Sequence, residues 1–179
     1  QDHRGLVRVD DEEARRHDKV HGIIIMIELG DLREGILPGS LIKFYRQIFE
    51  LPNIRVLGIG SNLGCLAGAV PTIDQFMQLV LYRELLELKF EHRLELISAG
   101  SSVSLPMVLE KHLPRAINHF RIGEAAFLGT SPLENNPILG LNTGAFTFEA
   151  NIVELYKKEN QPDGIISEAG VGNVPDESE

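Results

Sequence analysis

The chain has a single cysteine, Cys65, in 179 residues. That excludes an internal disulfide and fits a reducing compartment. Its longest apolar run, Gly22–Leu29, is too short to cross a bilayer and is interrupted by Glu28. Basic residues are few, 17 against 26 acidic ones for a net charge of −9, and no basic cluster offsets the surplus. A nucleic-acid partner is therefore not expected, nor is a membrane. The opening Gln1-Asp2-His3-Arg4 leads into a charged stretch rather than the apolar one of a secretory leader. A cytoplasmic location is the expectation. His17, His21, His92 and His112 lie scattered without ligand spacing, so no metal site is expected.

What is present suits one domain with a sizeable core, 43% of the residues being apolar. The polar start runs directly into an expected helix, Asp10 to Lys19. The end, Gln161–Glu179, is rich in Gly, Pro and acid and too poor in apolar residues to fold by itself. Both features predict that the chain is a portion of a longer protein, with a disordered acidic tail.

Between these ends one pattern repeats. Gly22–Leu29 is a β-branched, nearly continuous apolar run, as expected of a strand covered on both faces. Leu41, Phe44, Tyr45, Ile48 and Phe49 then form one helical stripe. Ile54–Gly60 reads as a second strand, and Thr72 with Gln75 makes a capping box for a long helix through Glu91. Leu94–Ser98, Leu105–Leu113 and Ala116–Ile122 continue as strand, helix and strand. Alternation at this spacing predicts right-handed βαβ units and a parallel sheet. A doubly wound sheet and a (β/α)8 barrel both fit. Four strands are too few to close a barrel, so that reading requires further strands.

Residues 131–144 are rich in Pro, Asn and Gly and read as a linker. Beyond them Phe146, Phe148, Ala150 and Ile152 alternate with polar residues, the period of a half-exposed strand. The expected organisation is a parallel α/β part over 1–130, the linker, and the start of a β domain over 145–179.

Ligands of parallel α/β folds bind at the carboxyl ends of the strands. Those ends deliver Gly30–Gly35, Gly60–Cys65, Ser98–Ser102 and Arg121–Glu124. Glycines and small hydroxyl residues ahead of helix starts offer N–H groups to an anion. Arg33 and Arg121 stand on the same rim. A pocket for a phosphorylated or otherwise anionic small molecule is one reading. Turn chemistry at Ser101 and Ser102, with surface ion pairs at the arginines, is the plainer one.

Three ordered stretches are more specific. Glu28-Leu29-Gly30-Asp31-Leu32-Arg33-Glu34-Gly35 resembles the GDLREG signature of ornithine racemases. Gly58-Ile59-Gly60-Ser61-Asn62-Leu63-Gly64-Cys65 and Asn118-His119-Phe120-Arg121-Ile122-Gly123-Glu124 resemble the same branch. From about Val20 to Leu155 the chain is similar to the alanine/ornithine racemase family of pyridoxal-phosphate enzymes. The resemblance implies a partial (β/α)8 TIM barrel followed by the start of a C-terminal β domain. It also implies pyridoxal 5'-phosphate as cofactor, a small amino-acid substrate and a homodimer. The reaction implied is Cα proton abstraction and return through an external aldimine.

The resemblance assigns roles as well. Arg121 matches the arginine that bonds the pyridine nitrogen. Being always protonated, it keeps that nitrogen unprotonated and weakens the ring as an electron sink. Decarboxylases of the fold carry a carboxylate there, so Arg121 favours a racemase over them. Ser102, with the N–H groups of Gly123 and Glu124, matches the phosphate cradle. Arg33 matches the arginine near the cofactor's phenolic oxygen and the substrate.

Asn62 stands where alanine racemases commonly have a histidine packed on the ring, and Ser101 where an asparagine precedes the phosphate serine. The family's Schiff-base lysine has no counterpart. Lys19 precedes the first visible strand, Lys43, Lys89 and Lys111 fall in expected helices, and Lys157 and Lys158 follow the last strand. The chain alone is therefore expected to be inactive. A non-catalytic cofactor-binding protein is the alternative from another class; those are single-domain barrels, so the strand expected at Phe146–Ile152 counts against it. His119 is expected to face away from Arg121.

Overall fold

A computed structural model describes residues 3–64, 68–133 and 135–157. It falls into two units, Gln1–Phe146 and Thr147–Glu179. In the first, helix α1 (His3–Arg16) precedes β1 (His21–Met26), α2 (Leu41–Phe49), β2 (Ile54–Gly60) and α3 (Ile73–Phe90). Then follow β3 (Leu96–Gly100), α4 (Leu105–Leu109), β4 (His119–Phe120) and α5 (Glu124–Leu128). The four strands form one parallel sheet in the order β1-β2-β3-β4.

That order discriminates between the two architectures left open above. A doubly wound sheet reverses its strand order and places helices on both faces. Sequential order with crossovers of one hand keeps every helix on one face, as in a barrel wall. Leu41, Tyr45 and Ile48 of α2 and Phe76, Leu79 and Leu86 of α3 join Ile25, Ile27, Ile59 and Ile97 of the sheet side in a single buried cluster. On the opposite face the strands come close. A Cβ on Gly60 would meet Met26 Sδ and Ser98 Cβ, each at 3.0 Å. The fold is an incomplete (β/α) barrel segment.

Several elements follow the sequence closely. β2 has the predicted bounds, and Thr72 caps α3 as expected: its side chain accepts from Gln75 N while the Gln75 side chain accepts from Thr72 N. Glu91 ends α3 with φ of 51°. Others differ. α1 begins earlier than Asp10 and ends at Arg16. The third helix begins at Leu105 as expected but ends at Leu109 and not Leu113, and a 3-10 turn at Ser102–Ser104, capped by Ser101 and Ser104, precedes it. β4 shrinks to two residues.

Residues 145–157 contain no strand, contrary to the alternation of Phe146 to Ile152, and Phe148 is 93% exposed. A strand needs a neighbour to satisfy its backbone groups, and among the described residues none is offered there. The expected linker holds one isolated antiparallel bridge, Thr130 with Pro137. The expected acidic tail, Gln161–Glu179, lies outside the described residues, as does Cys65. No helix among the described residues is long and apolar enough to cross a membrane.

Candidate functional site

The site is assembled at the carboxyl ends of the four strands. After β1 the chain folds back on itself: Ile27 bridges Ile36, Glu28 N donates to Ile36 O, and Ile36 N donates to Met26 O. Within the loop so closed, the Glu28 carboxylate accepts from Gly30 N and Leu32 N. Gly35 permits the return. Its φ is +128°, and a Cβ there would lie 2.6 Å from Glu28 N and 2.7 Å from Ile27 C. Gln75, from the first turn of α3, donates to Leu29 O at 2.8 Å and ties the loop to its neighbour. The loop is thus fixed by backbone contacts at both ends, and it carries Arg33 and Glu34 on its outer part.

Ser61 and Asn62 follow β2 directly, and both are buried. Ser61 N donates to Ser98 O, while the Ser61 hydroxyl is buried without a partner. Beyond β3, Ser101 Oγ donates to Leu63 O and accepts from Val103 N. Ser102 Oγ accepts from Ala125 N, 3.0 Å away in the first turn of α5. A serine hydroxyl that accepts still has its own proton to donate. Gly123 caps α5, and a Cβ built there meets nothing within 4 Å, so the space on that side of it is open.

Arg121 joins these pieces. Its backbone N–H bonds Gly100 O, and its side chain then crosses the end of β3. Nη2 donates to Ser61 O at 3.2 Å and Asn62 Oδ1 at 3.4 Å, and Nη1 lies 3.7 Å from Glu34 Oε1. Glu34 Oε2 also pairs with Arg33 Nε at 3.1 Å. Three strand ends therefore meet at one guanidinium.

Of the residues singled out from sequence, Arg33, Asn62 and Arg121 are linked in this cluster. Ser102, Gly123 and Glu124 meet at the start of α5. Ser101 is occupied in shaping its own turn. Glu34, Ser61 and the tie through Gln75 were not singled out. Glu34 stood in the sequence only as one member of the Glu28–Gly35 stretch, because its partner Arg121 is remote in sequence. His119 corrects the expected orientation in one respect. It stands two residues from Arg121, the spacing of one strand face, and its Nδ1 is 2.9 Å from Ser98 Oγ. Lys19 lies before β1, Lys43 in α2, Lys89 in α3 and Lys111 after α4. Among the described residues no lysine stands at the carboxyl end of a strand.

A barrel segment with one arginine bridging three strand ends agrees with the sequence match. The profile of the alanine racemase N-terminal domain matches residues 6–132. The chain belongs to that family. It is 36% identical over 163 residues to the ornithine racemase of Acetoanaerobium sticklandii, covering 90% of this chain and 46% of that one. It is 34% identical over 154 residues to the lysine racemase of Thermotoga maritima, covering 86% and 43% respectively. The chain thus spans under half the length of these curated relatives. The alanine racemase of Streptomyces lavendulae superposes with a TM-score of 0.54 at 19% identity, over 71% of this chain and 33% of that one. That likeness supports the barrel-segment fold.

Proposed function

We propose that the protein to which this racemase-family chain contributes is a pyridoxal-phosphate-dependent amino-acid racemase acting on a basic amino acid. The substrate class follows the ornithine and lysine racemases it resembles. The observation that carries the reading is the setting of Arg121, a guanidinium fixed at the strand ends by Ser61 and Asn62.

The residues present fit the cofactor's chemistry. Ser102 has a hydroxyl proton left to donate, and the Cβ side of Gly123 is unobstructed. With the N–H of Glu124 they would hold the phosphate group. Ser101 shapes the turn that presents Ser102. Arg121 would meet the pyridine nitrogen, and Asn62 would lie beside the ring while anchoring Arg121. Arg33 would face the phenolic oxygen and the substrate.

When bound, pyridoxal phosphate supplies a ring that accepts the electron pair left as the Cα–H bond breaks. Arg121 tempers that sink, because a permanently protonated guanidinium donates a hydrogen bond and leaves the nitrogen without a proton of its own. This favours return of a proton to Cα over side reactions. A decarboxylase would gain from a carboxylate here. The non-catalytic alternative was disfavoured by a strand at 146–152 that does not form, so Arg121 and the named relatives now bear the argument against it. We further propose a homodimer in a cytoplasmic setting, with the Schiff-base lysine and the second acid/base supplied outside these residues.

The test is to incubate the intact protein with pyridoxal phosphate and a panel of L-amino acids, resolving enantiomers by chiral chromatography. D-Ornithine or D-lysine should form fastest. Release of carbon dioxide, or no turnover of any amino acid despite bound cofactor, overturns the reading.

A further inference from the structure

A guanidinium carries five N–H donors in a rigid plane, so fixing its orientation takes acceptors on more than one nitrogen. In Arg121 both Nη2 donors point to the β2 end, at Ser61 O and Asn62 Oδ1. Alone, they would hold one corner of the plane and let the rest swing. The second corner is Nη1, and the acceptor facing it is the Glu34 carboxylate, 3.7 Å away. At that distance the pair is a Coulombic contact and not a hydrogen bond, so it biases the plane of the guanidinium without using an Nη1 donor.

Resting on the racemase reading above, we propose that Glu34 is a positioning residue for Arg121. Its carboxylate draws the second corner of the guanidinium by charge, from a position beside Arg33 on the same rim. Three observations support this role over that of an ordinary surface ion pair. First, Glu34 rides on a loop closed by main-chain contacts at Ile27, Glu28 and Ile36, which hold its backbone at the strand ends. Second, the pair is partly screened from water, with the Glu34 and Arg121 side chains 34% and 39% exposed. Third, Glu34 meets both arginines through different oxygens, Oε2 to Arg33 and Oε1 to Arg121.

The experiment is a double-mutant cycle on the intact protein, reading pyridoxal phosphate affinity by equilibrium dialysis and racemisation by chiral chromatography across pH. Glu34→Gln keeps the shape and removes the charge, and Glu34→Asp keeps the charge but withdraws it by one methylene. Relative to the parent, Glu34→Gln should weaken cofactor binding by about 5- to 10-fold, with Glu34→Asp intermediate. In an Arg121→Gln background the same Glu34 substitution should have no further effect. A parent that does not bind the cofactor overturns the racemase reading. If the parent binds, two results overturn the role of Glu34 alone: affinity of Glu34→Gln within about 2-fold of the parent, or the same penalty with Arg121 already replaced. Should Glu34→Gln fold poorly, Glu34→Asp in the two backgrounds decides between these outcomes.

Discussion

Arg121 and Asn62 belong to strand ends that are not neighbours, yet Arg121 Nη2 lies 3.4 Å from Asn62 Oδ1 across the end of β3. The contact gives Asn62 a physical task. Where alanine racemases commonly carry a histidine, this chain has a side chain whose carbonyl oxygen accepts from the guanidinium. The strand ends are coupled through side chains, so the loops that carry them must be held firmly.

Gly35 tests that requirement. Gly35→Ala puts a methyl group where Glu28 N and Ile27 C already stand, at a φ of +128° that side chains avoid. The backbone cannot step aside without breaking the Ile27–Ile36 bridge. Conformational strain and steric clash together should cost about 3 kcal/mol of stability. Urea denaturation should show a lower midpoint with an unchanged slope. A loss below about 0.5 kcal/mol would mean that the loop is not fixed as described.

Tyr45 makes a prediction about pH. It is fully buried in the core, its hydroxyl has no hydrogen-bond partner, and its ring packs on Phe49 and Phe90. Burial, and then the nearby Glu87 carboxylate, push its pKa up to about 12. In the unfolded chain a tyrosine titrates near about 10. Between these values the unfolded state has lost the proton and the folded state keeps it, so stability falls as pH rises. The stabilising difference is whole below the lower value and gone above the upper one. Tyr45→Phe should therefore flatten the decline of stability between about pH 10 and 12. Near neutral pH it should cost little or add slightly, since it removes an unpaired buried hydroxyl. An equal alkaline decline in both proteins sinks the assignment.

Legibility from sequence followed the range of the interactions. The strand Ile54–Gly60 and the Thr72–Gln75 cap were readable because β-branched content and capping spacing are local signals. The parallel sheet followed from alternation, but its sequential order did not, since a doubly wound order fitted the same pattern. The fold-back of Ile36 onto Ile27 was not readable, because an isolated bridge has no periodic signature and depends on the conformation of Gly35. The alternation at Phe146–Ile152 is present in sequence but meets no partner strand among the described residues. Arg33, Asn62 and Arg121 could be named from strand ends and motif resemblance. Glu34 could not, since its role depends on an arginine three strands away.

The most informative substitution in the intact protein is Arg121→Glu. A carboxylate at this position favours protonation of the pyridine nitrogen, which strengthens the ring as an electron sink. Return of the proton to Cα should then compete less well with transfer elsewhere. The structure adds a second consequence. The side-chain partners of Arg121 among the described residues are acceptors: Ser61 O, Asn62 Oδ1 and the Glu34 carboxylate. A glutamate at 121 would meet like charge and lone pairs, so cofactor affinity should fall as well, and Glu34→Gln in the same chain should restore part of it. Racemisation should slow by about 100-fold, near 3 kcal/mol in the barrier, while keto-acid by-product rises relative to racemised amino acid. The measurement is the ratio of Cα deuterium incorporation in heavy water to keto acid formed, taken at saturating cofactor. An unchanged ratio would mean that Arg121 does not touch the ring, and the racemase reading would lose the observation that carries it.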